Sequence, residues 1–423
     1  REPFRTAVTI SAEFSVRAEG PNNLALLFDV AKVLDGPQPV SFSNDGDSTH
    51  SKDGDPLALK LQQNLAAAFK SRPAVKAART AESAPAALTR ELGLPASYTP
   101  YASKLPGTFP VPALPKGNPL IEERVSLGRR LFHETALSRG GSLSCASCHF
   151  LTAALSDPRR FSPGVEGRMG NRNAMPLFNL AWKSEFFWDG RARSLREQVL
   201  LPIQDHREMD EDLERVVAKL GDLPDYAPAF AAAFGDSAVT AERLALALEN
   251  FLLTLTSHES KFDRAMRGEG QLSELEKRGF ELFMTEREPR LGSLGGDCFH
   301  CHGGALFTDH QFRNNGLPID DSDLGRFLVT QKTIDRGTFA TPSLRNVALT
   351  APYMHDGRFA TLEEVLNHYS SGVQRTDTLD PNLAKHPDGG LDLSDEDKQA
   401  LIAFLHTLTD DRFAGKSPAP SGR

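Results

Sequence analysis

All four cysteines of the chain fall in two C-x-x-C-H motifs, Cys145-Ala-Ser-Cys148-His149 and Cys298-Phe-His-Cys301-His302. C-x-x-C-H is the attachment signature of a c-type haem. The spacing has a mechanical reason. Two thiols add to the two vinyl groups of the porphyrin, and the adjacent His swings beneath the iron as proximal ligand. Two C-x-x-C pairs can also make a Cys₄ zinc site, but such a site has no need of a His directly after both pairs. A thioredoxin-like redox pair wants a βαβ context that is missing here. The motifs therefore predict two covalently bound haems, with His149 and His302 on the irons.

The remaining composition is that of an ordinary globular chain. Its 423 residues are 39% apolar and 25% charged, enough for two to three domains of about 150 residues each. Lys and Arg total 48 against 56 Asp and Glu, giving a net charge of −8 with no basic run. That excludes a nucleic-acid footprint and an electrostatic attachment to anionic membranes. No stretch approaches the roughly 18 uninterrupted apolar residues of a spanning helix. Covalent haem attachment takes place outside the cytoplasm, so a periplasmic location is expected, with Arg1 following a removed leader.

The two motifs sit inside an internal repeat. Gly128-Arg-Arg-Leu-Phe precedes the first and Gly279-Phe-Glu-Leu-Phe the second. A second shared block begins 39 residues after His149 and 53 after His302: Trp188-Asp-Gly-Arg-Ala-Arg-Ser-Leu-Arg-Glu-Gln and His355-Asp-Gly-Arg-Phe-Ala-Thr-Leu-Glu-Glu-Val. Each contains a capping-box pattern, Ser194…Glu197 and Thr361…Glu364, so each opens a helix after a tight Asp-Gly turn. Leu244, Leu248, Phe251 and Leu255 recur at helical spacing, Ser273 caps a further helix, and Leu401, Leu405 and Leu408 mark a last one. The expected fold is mainly α, with two duplicated cytochrome c-like haem domains at 95–270 and 271–423.

The repeat lets the two haem pockets be compared. Pro202 lies 14 residues after Trp188, and Tyr369 lies 14 after His355. Proline cannot ligate iron, whereas Tyr can. The first haem is then open on its distal side and the second closed. His355, Met354 and His368 are neighbours of Tyr369 that compete for the sixth position, and Tyr369 can also be read as a helix residue packing on Val365. His300, at an x position of its motif, reads as a spacer. Trp188 can be plain core, and solvated faces are the plain readings of Gln198 and Glu208.

With these residues in place, the sequence resembles the bacterial dihaem cytochrome c peroxidase / MauG superfamily from about Asn118 to about Leu408. The shared elements are Arg172-Asn173-Ala, Phe187-Trp188-Asp-Gly-Arg, Gln198, Pro202, Glu208-Met209, Thr341-Pro-Ser-Leu-Arg-Asn346 and Thr350-Ala-Pro352-Tyr-Met-His-Asp-Gly357. The resemblance implies a peroxide-binding N-terminal haem and a six-coordinate C-terminal haem that relays electrons. Trp188 would bridge the two, and Gln198 and Glu208 would stand over the first haem. Glu208 would act as the proton-transferring base, and Gln198 as the polar group that steadies the leaving hydroxide. A calcium ion would lie between the domains, held by Asn173 and by the backbone carbonyls of Thr350 and Pro352.

Two features resemble the MauG/MbnH-type branch. Tyr369 stands where the peroxidases place Met, and an anionic tyrosinate stabilises oxidised iron whereas Met raises the potential. No His occurs between His149 and His206, so the blocking His of many of the peroxidases is absent. By resemblance, hydrogen peroxide would produce a high-valent state shared over two haems, which oxidises Trp or Tyr residues of a partner protein. The alternative is a peroxidase that reduces hydrogen peroxide with electrons from a small cytochrome c or cupredoxin. A dihaem electron carrier would need both irons six-coordinate. MauG itself has an exit Trp two residues before its second motif, where this chain has Gly296.

Residues 1–94 lie outside the resemblance and form an N-terminal extension without an assigned function. Val8, Ile10, Ala12, Phe14 and Val16 alternate as in a strand, with Leu24 to Val33 as a pairing candidate. Ser43 to Asp55 reads as loop and Pro56 to Lys70 as helix. A Pro-rich link from Pro95 to Pro119 leads into the first haem domain.

Overall fold

A computed structural model describes the strands Leu26–Phe28 and Phe69–Ser71 together with residues 92–107, 109–386 and 389–414. Residues 1–84 form one unit and 85–423 another. In the first, β1 (Leu26–Phe28) pairs antiparallel with β2 (Phe69–Ser71), Leu26 facing Ser71. The pairing candidate around Leu24 is thus a strand in part, but its partner begins at Phe69, where the helix from Pro56 was expected to end. The proposed strand at Val8 to Val16 and the loop at Ser43 to Asp55 lie outside the described residues.

The larger unit is mainly helical. The Pro-rich segment after Pro95 runs without helix until α1 (Glu122–Phe132), which has acidic residues in its first turn and Arg129 and Arg130 in its last, in the sense that favours the helix dipole. There follow α2 (Leu195–Gln198), α3 (Leu201–Gln204), α4 (Leu213–Asp222), α5 (Tyr226–Phe234) and α6 (Ala241–Leu253). The second half contains α7 (Lys261–Met266), α8 (Glu274–Phe283), α9 (Phe299–His302), α10 (Phe327–Thr330), α11 (Leu362–Asn367), α12 (Pro381–Ala384) and α13 (Asp395–His406). Among the described residues the larger unit has two short antiparallel strand pairs, β3 (Arg287–Glu288) with β4 (Ser293–Leu294) and β5 (Phe312–Arg313) with β6 (Phe339–Ala340). The capping boxes expected at Ser273 and Thr361 are formed. At Ser194 the hydroxyl accepts from the Glu197 N–H, but the Glu197 carboxylate turns to the N–H of Arg193 instead.

Two hydrophobic cores result. One gathers Val125, Leu131, Phe132, Leu244, Leu248 and Phe251 among others, and the second gathers Leu282, Phe283, Leu401, Phe404 and Leu405. Each is built on a helix crossing at a repeat glycine. A Cβ on Gly128 of α1 would overlap the Ala247 carbonyl and the Phe251 side chain of α6, and one on Gly279 of α8 would overlap the Ala400 carbonyl and Phe404 of α13. In each half the overlapped residues are four apart, so one helix contact is built twice. Backbone-to-backbone approach this close needs a residue without a Cβ.

The duplication extends to the core floor. Asn179 and Asn346 both adopt left-handed backbone and open a short 3₁₀ turn. Their N–H groups donate to Leu255 O at 2.8 Å and Leu408 O at 3.0 Å. Both side chains converge on Ser257: Asn179 Oδ1 accepts its N–H at 2.8 Å, and Asn346 Nδ2 donates to its hydroxyl at 3.0 Å. Among the described residues no helix is long and apolar enough to cross a membrane.

Candidate functional site

The first motif forms a tight turn, Cys145–Ser147, with the His149 N–H donating to Cys145 O at 3.0 Å. His149 Nδ1 lies 2.8 Å from the carbonyl of Leu155. A carbonyl only accepts, so Nδ1 carries the proton and Nε2 keeps its lone pair for a metal. Burial also holds the imidazole below its usual pKa, in the neutral, ligating form. The second motif repeats this on α9. The His302 N–H donates to Cys298 O at 2.9 Å, its Nδ1 faces Phe307 O at 3.3 Å, and burial lowers its pKa to about 4.

Each motif borders a cavity. The first, about 440 Å³, is lined by Cys145, Cys148 and His149 and also by Gln198, Pro202 and Glu208. The second, about 220 Å³, is lined by Cys298, Cys301 and His302 together with Tyr369, Met354 and His355. The four thiols are unpaired. Two free thiols and one imidazole with an available Nε2 at each cavity are the donor set that a covalent haem requires.

The equivalent positions Pro202 and Tyr369 differ in backbone as well as chemistry. Pro202 sits in the first turn of α3, and the chain breaks between α2 and α3. In the second half α11 continues into a π turn, His368–Gly372, which carries Tyr369. Such wide turns re-aim side chains, often at functional positions. The Tyr369 hydroxyl accepts a hydrogen bond from Asn315 Nδ2 at 3.4 Å, and the same amide reaches Met354 Sδ at 3.3 Å. Of the competing neighbours, Met354 and His355 line the second cavity. His355 stacks on Phe339 with ring centroids 3.6 Å apart. His368 faces Asn315 O at 2.9 Å and does not line the cavity. His300 is turned away as well, its Nε2 2.8 Å from Glu286.

Glu208 is half-buried at the first cavity, and its carboxyl is pushed up to about 7. Burial is the largest cause; the charge of Asp205 adds to it and Arg191 opposes it. A carboxyl poised there can take and return a proton near neutral pH. His206 also borders this cavity, with its side chain 68% exposed and its Nδ1 3.7 Å from Asp205.

Trp188, Asn173 and Pro176 line both cavities. The Trp188 loop is clamped by residues that the spacing alone did not single out. Arg172 binds Asp189 at 2.6 Å and, through two nitrogens, Asp323 at 2.7 and 2.8 Å. The Ala340 N–H donates to Trp188 O at 2.8 Å. Asn315 likewise gave no sequence signal, since its partner Tyr369 is 54 residues distant. Asn173, Thr350 and Pro352, expected around calcium, all line the second cavity. Among the described residues nothing donates a hydrogen bond to the carbonyls of Thr350 or Pro352, which leaves both oxygens available to a hard cation.

Two cavities, each with a C-x-x-C-H turn and joined by one indole, define a dihaem c-type protein. Comparisons with known proteins give the same class. The family model for di-haem cytochrome c peroxidase matches residues 122–271. "Methylamine utilization protein MauG" of Methylophilus methylotrophus is 37% identical over 318 residues, covering 75% of this chain and 90% of that one. "Cytochrome c551 peroxidase" of Pseudomonas aeruginosa is 32% identical, covering 72% and 82%. The solved structure of "a MauG-like protein associated with microbial copper homeostasis" superimposes with a TM-score of 0.67 at 35% identity, covering 75% of this chain and 98% of that one. The chain belongs to the di-haem cytochrome c peroxidase / MauG family. It is a di-haem oxidoreductase of the peroxide-dependent class, and the family implies two c-type haems.

Proposed function

We propose that this chain is a periplasmic MauG/MbnH-type enzyme that uses hydrogen peroxide to oxidise Trp or Tyr side chains of a partner protein. The observation that carries the reading is the unlike pair at equivalent positions, Pro202 on the first cavity and Tyr369 on the second. Covalently bound in the first cavity, a haem would supply the two-electron reaction with peroxide. The protein's own groups do the rest. Glu208, ionised, takes the proton from one peroxide oxygen and returns it to the other, so that the O–O bond breaks with water as the leaving product. The Gln198 amide donates to the departing oxygen as charge builds on it. Pro202 offers no ligand and leaves room for peroxide.

Trp188, bordering both cavities, is the group through which the two halves exchange electrons. His302 and Tyr369 are the residues that would hold the second iron, the phenolate favouring its oxidised form. A calcium ion on Asn173, Thr350 and Pro352 would fix the segments that flank Trp188.

A second reading rests on Met354, which lines the second cavity and shares the Asn315 amide with Tyr369. With Met354 on the iron the second haem would have the higher potential of an electron-accepting peroxidase centre, and a small cytochrome c or cupredoxin would be the donor. Electron paramagnetic resonance and optical spectra of the ferric protein separate the two. If Tyr369→Phe changes the second haem and Met354→Leu does not, Tyr369 is the ligand. The reverse result transfers the assignment to Met354 and favours the peroxidase. Turnover of a reduced small cytochrome with peroxide would count against the partner-oxidation reading.

A further inference from the structure

Among the described residues, the lining of the first cavity comes from the first half of the chain with one exception. Every lining residue lies between Phe132 and Leu252 except Leu328, which is carried by α10 of the second half. Leu328 is 52% exposed. The solvent-facing members of the lining mark the entrance: Asn171, Arg191, His206, Arg207 and Leu328. His206 and Arg207 directly precede Glu208, so the entrance opens at the end of the cavity that holds this carboxyl. Of these five, Leu328 alone is apolar.

A single half-exposed leucine means little by itself. What distinguishes this one is how its helix is held. Arg326, directly before α10, lies over the Phe312 ring at 3.6 Å from the centroid. Its Nη2 donates to both carboxylate oxygens of Glu185 at 3.0 and 3.2 Å, and its Nη1 to Asp189 O at 3.3 Å. Glu185 and Asp189 stand on either side of Trp188 in the first half. Gly190, at φ +73°, makes the approach possible, because a Cβ there would overlap the Arg326 guanidinium and the Phe312 ring. At the other end of α10 the left-handed Gln331 donates its N–H to Phe327 O at 2.9 Å, and Thr330 Oγ1 donates to Asp335 at 2.6 Å. A helix of four residues has little stability of its own, so these contacts decide where Leu328 stands.

We infer that Leu328 is the size filter of the first cavity, a side chain of the second half that admits hydrogen peroxide and excludes bulkier alkyl hydroperoxides. The inference rests on the first cavity being the peroxide site, as proposed above. Hydrogen peroxide is two oxygens and their protons, and slips past a leucine. An alkyl hydroperoxide brings a hydrocarbon body that must take the space Leu328 fills. Leu328 acts by volume, since its side chain can neither give nor accept a proton. Arg326 is a positioning residue, acting through the place it gives α10.

The test is stopped-flow spectroscopy of the ferric dihaem protein with two pairs of probes. One pair is hydrogen peroxide and tert-butyl hydroperoxide; the other, which needs no turnover, is the haem ligands cyanide and imidazole. In the wild type the smaller member of each pair should react faster. Leu328→Ala is expected to raise the rate of the larger member relative to the smaller by about tenfold, the scale on which apolar pockets sort by size. Leu328→Ile, equal in volume, should keep the wild-type ratios. Arg326→Met, which unpins α10, should move both ratios in the same direction as Leu328→Ala. Haem content is read beside each variant, so that a failure to fold is not mistaken for a result. Unchanged ratios in fully loaded Leu328→Ala, with cyanide still binding, would overturn the size filter and leave the open first haem standing. A wild type that takes both hydroperoxides at one rate would do the same. Failure of cyanide to bind the wild-type first haem would overturn the open-haem reading and the filter with it.

Discussion

The indole N–H of Trp188 donates to the backbone carbonyl of Asn173 at 2.9 Å, and the N–H of Asn173 in turn donates to the carbonyl of His355 at 2.7 Å. Trp188 and His355 begin the two copies of the repeated Asp-Gly-Arg block. The bridging side chain of one copy is thus tied, through a single residue, to the backbone of the other.

This linkage makes Trp188→Phe informative. Phenylalanine keeps an aromatic ring between the cavities but leaves the Asn173 carbonyl without its donor, at a cost of about 1 kcal/mol. Two haems are expected to remain, and the first should still react with peroxide. Rapid-scan spectra should show the second haem no longer responding in step; an unchanged response would remove Trp188 from the relay.

Glu208→Gln should slow the reaction of the ferric protein with peroxide by about 10²–10⁴-fold, the usual contribution of a positioned base. As a base Glu208 works when ionised. With its carboxyl pushed up to about 7, the rate should rise as pH increases through that value. Stopped-flow rates across pH 5.5 to 8.5, a window spanning about 1.5 units on either side, report this limb. Asp205→Asn removes one of the charges that raise the Glu208 pKa and should move the limb to lower pH.

Removing the attachment thiols of one half should remove one haem. Cys145→Ala with Cys148→Ala is expected to leave one covalent haem per chain by pyridine haemochrome assay, and to abolish the peroxide reaction. The corresponding change at Cys298 and Cys301 should also leave one haem but keep an initial peroxide reaction. Identical behaviour of the two variants would contradict the division into an open and a closed haem.

Gly128→Ala and Gly279→Ala test the duplicated helix crossing. Each places a methyl against a backbone carbonyl that cannot move without separating two helices, so each should destabilise by about 1–3 kcal/mol, as overpacked cores do. Thermal unfolding followed by circular dichroism measures it. Equivalent losses at the two positions would reflect equivalent packing.

The haem-binding halves were legible because covalent chemistry leaves a rigid mark. C-x-x-C-H spacing survives any change of surroundings, and the repeat glycines were visible as parallel features even though their reason, the carbonyls of Ala247 and Ala400, lies more than 100 residues along the chain. The helices capped by Ser273 and Thr361 were also legible, since a capping box is local. What could not be read was geometry set by distant partners. The capping pattern at Thr361 marks where α11 begins, but nothing in the sequence marks its widening into a π turn at His368. Asn315 comes to Tyr369 across 54 residues. The short strand at Phe69 belongs to a third kind: Phe69 and Lys70 closed an apparently helical stretch, yet three residues beside another strand were enough to extend them.

Ser257 gives the two halves a common fulcrum. Asn179 grips its backbone and Asn346 its hydroxyl, so neither half can swing without disturbing the residue that anchors the other. Electron tunnelling falls off steeply with separation, so exchange of electrons between two haems depends on that separation being constant from one turnover to the next. The shared serine acts as a spacer gauge. It makes the separation of the two haem-binding halves a property of the scaffold's own hydrogen bonds.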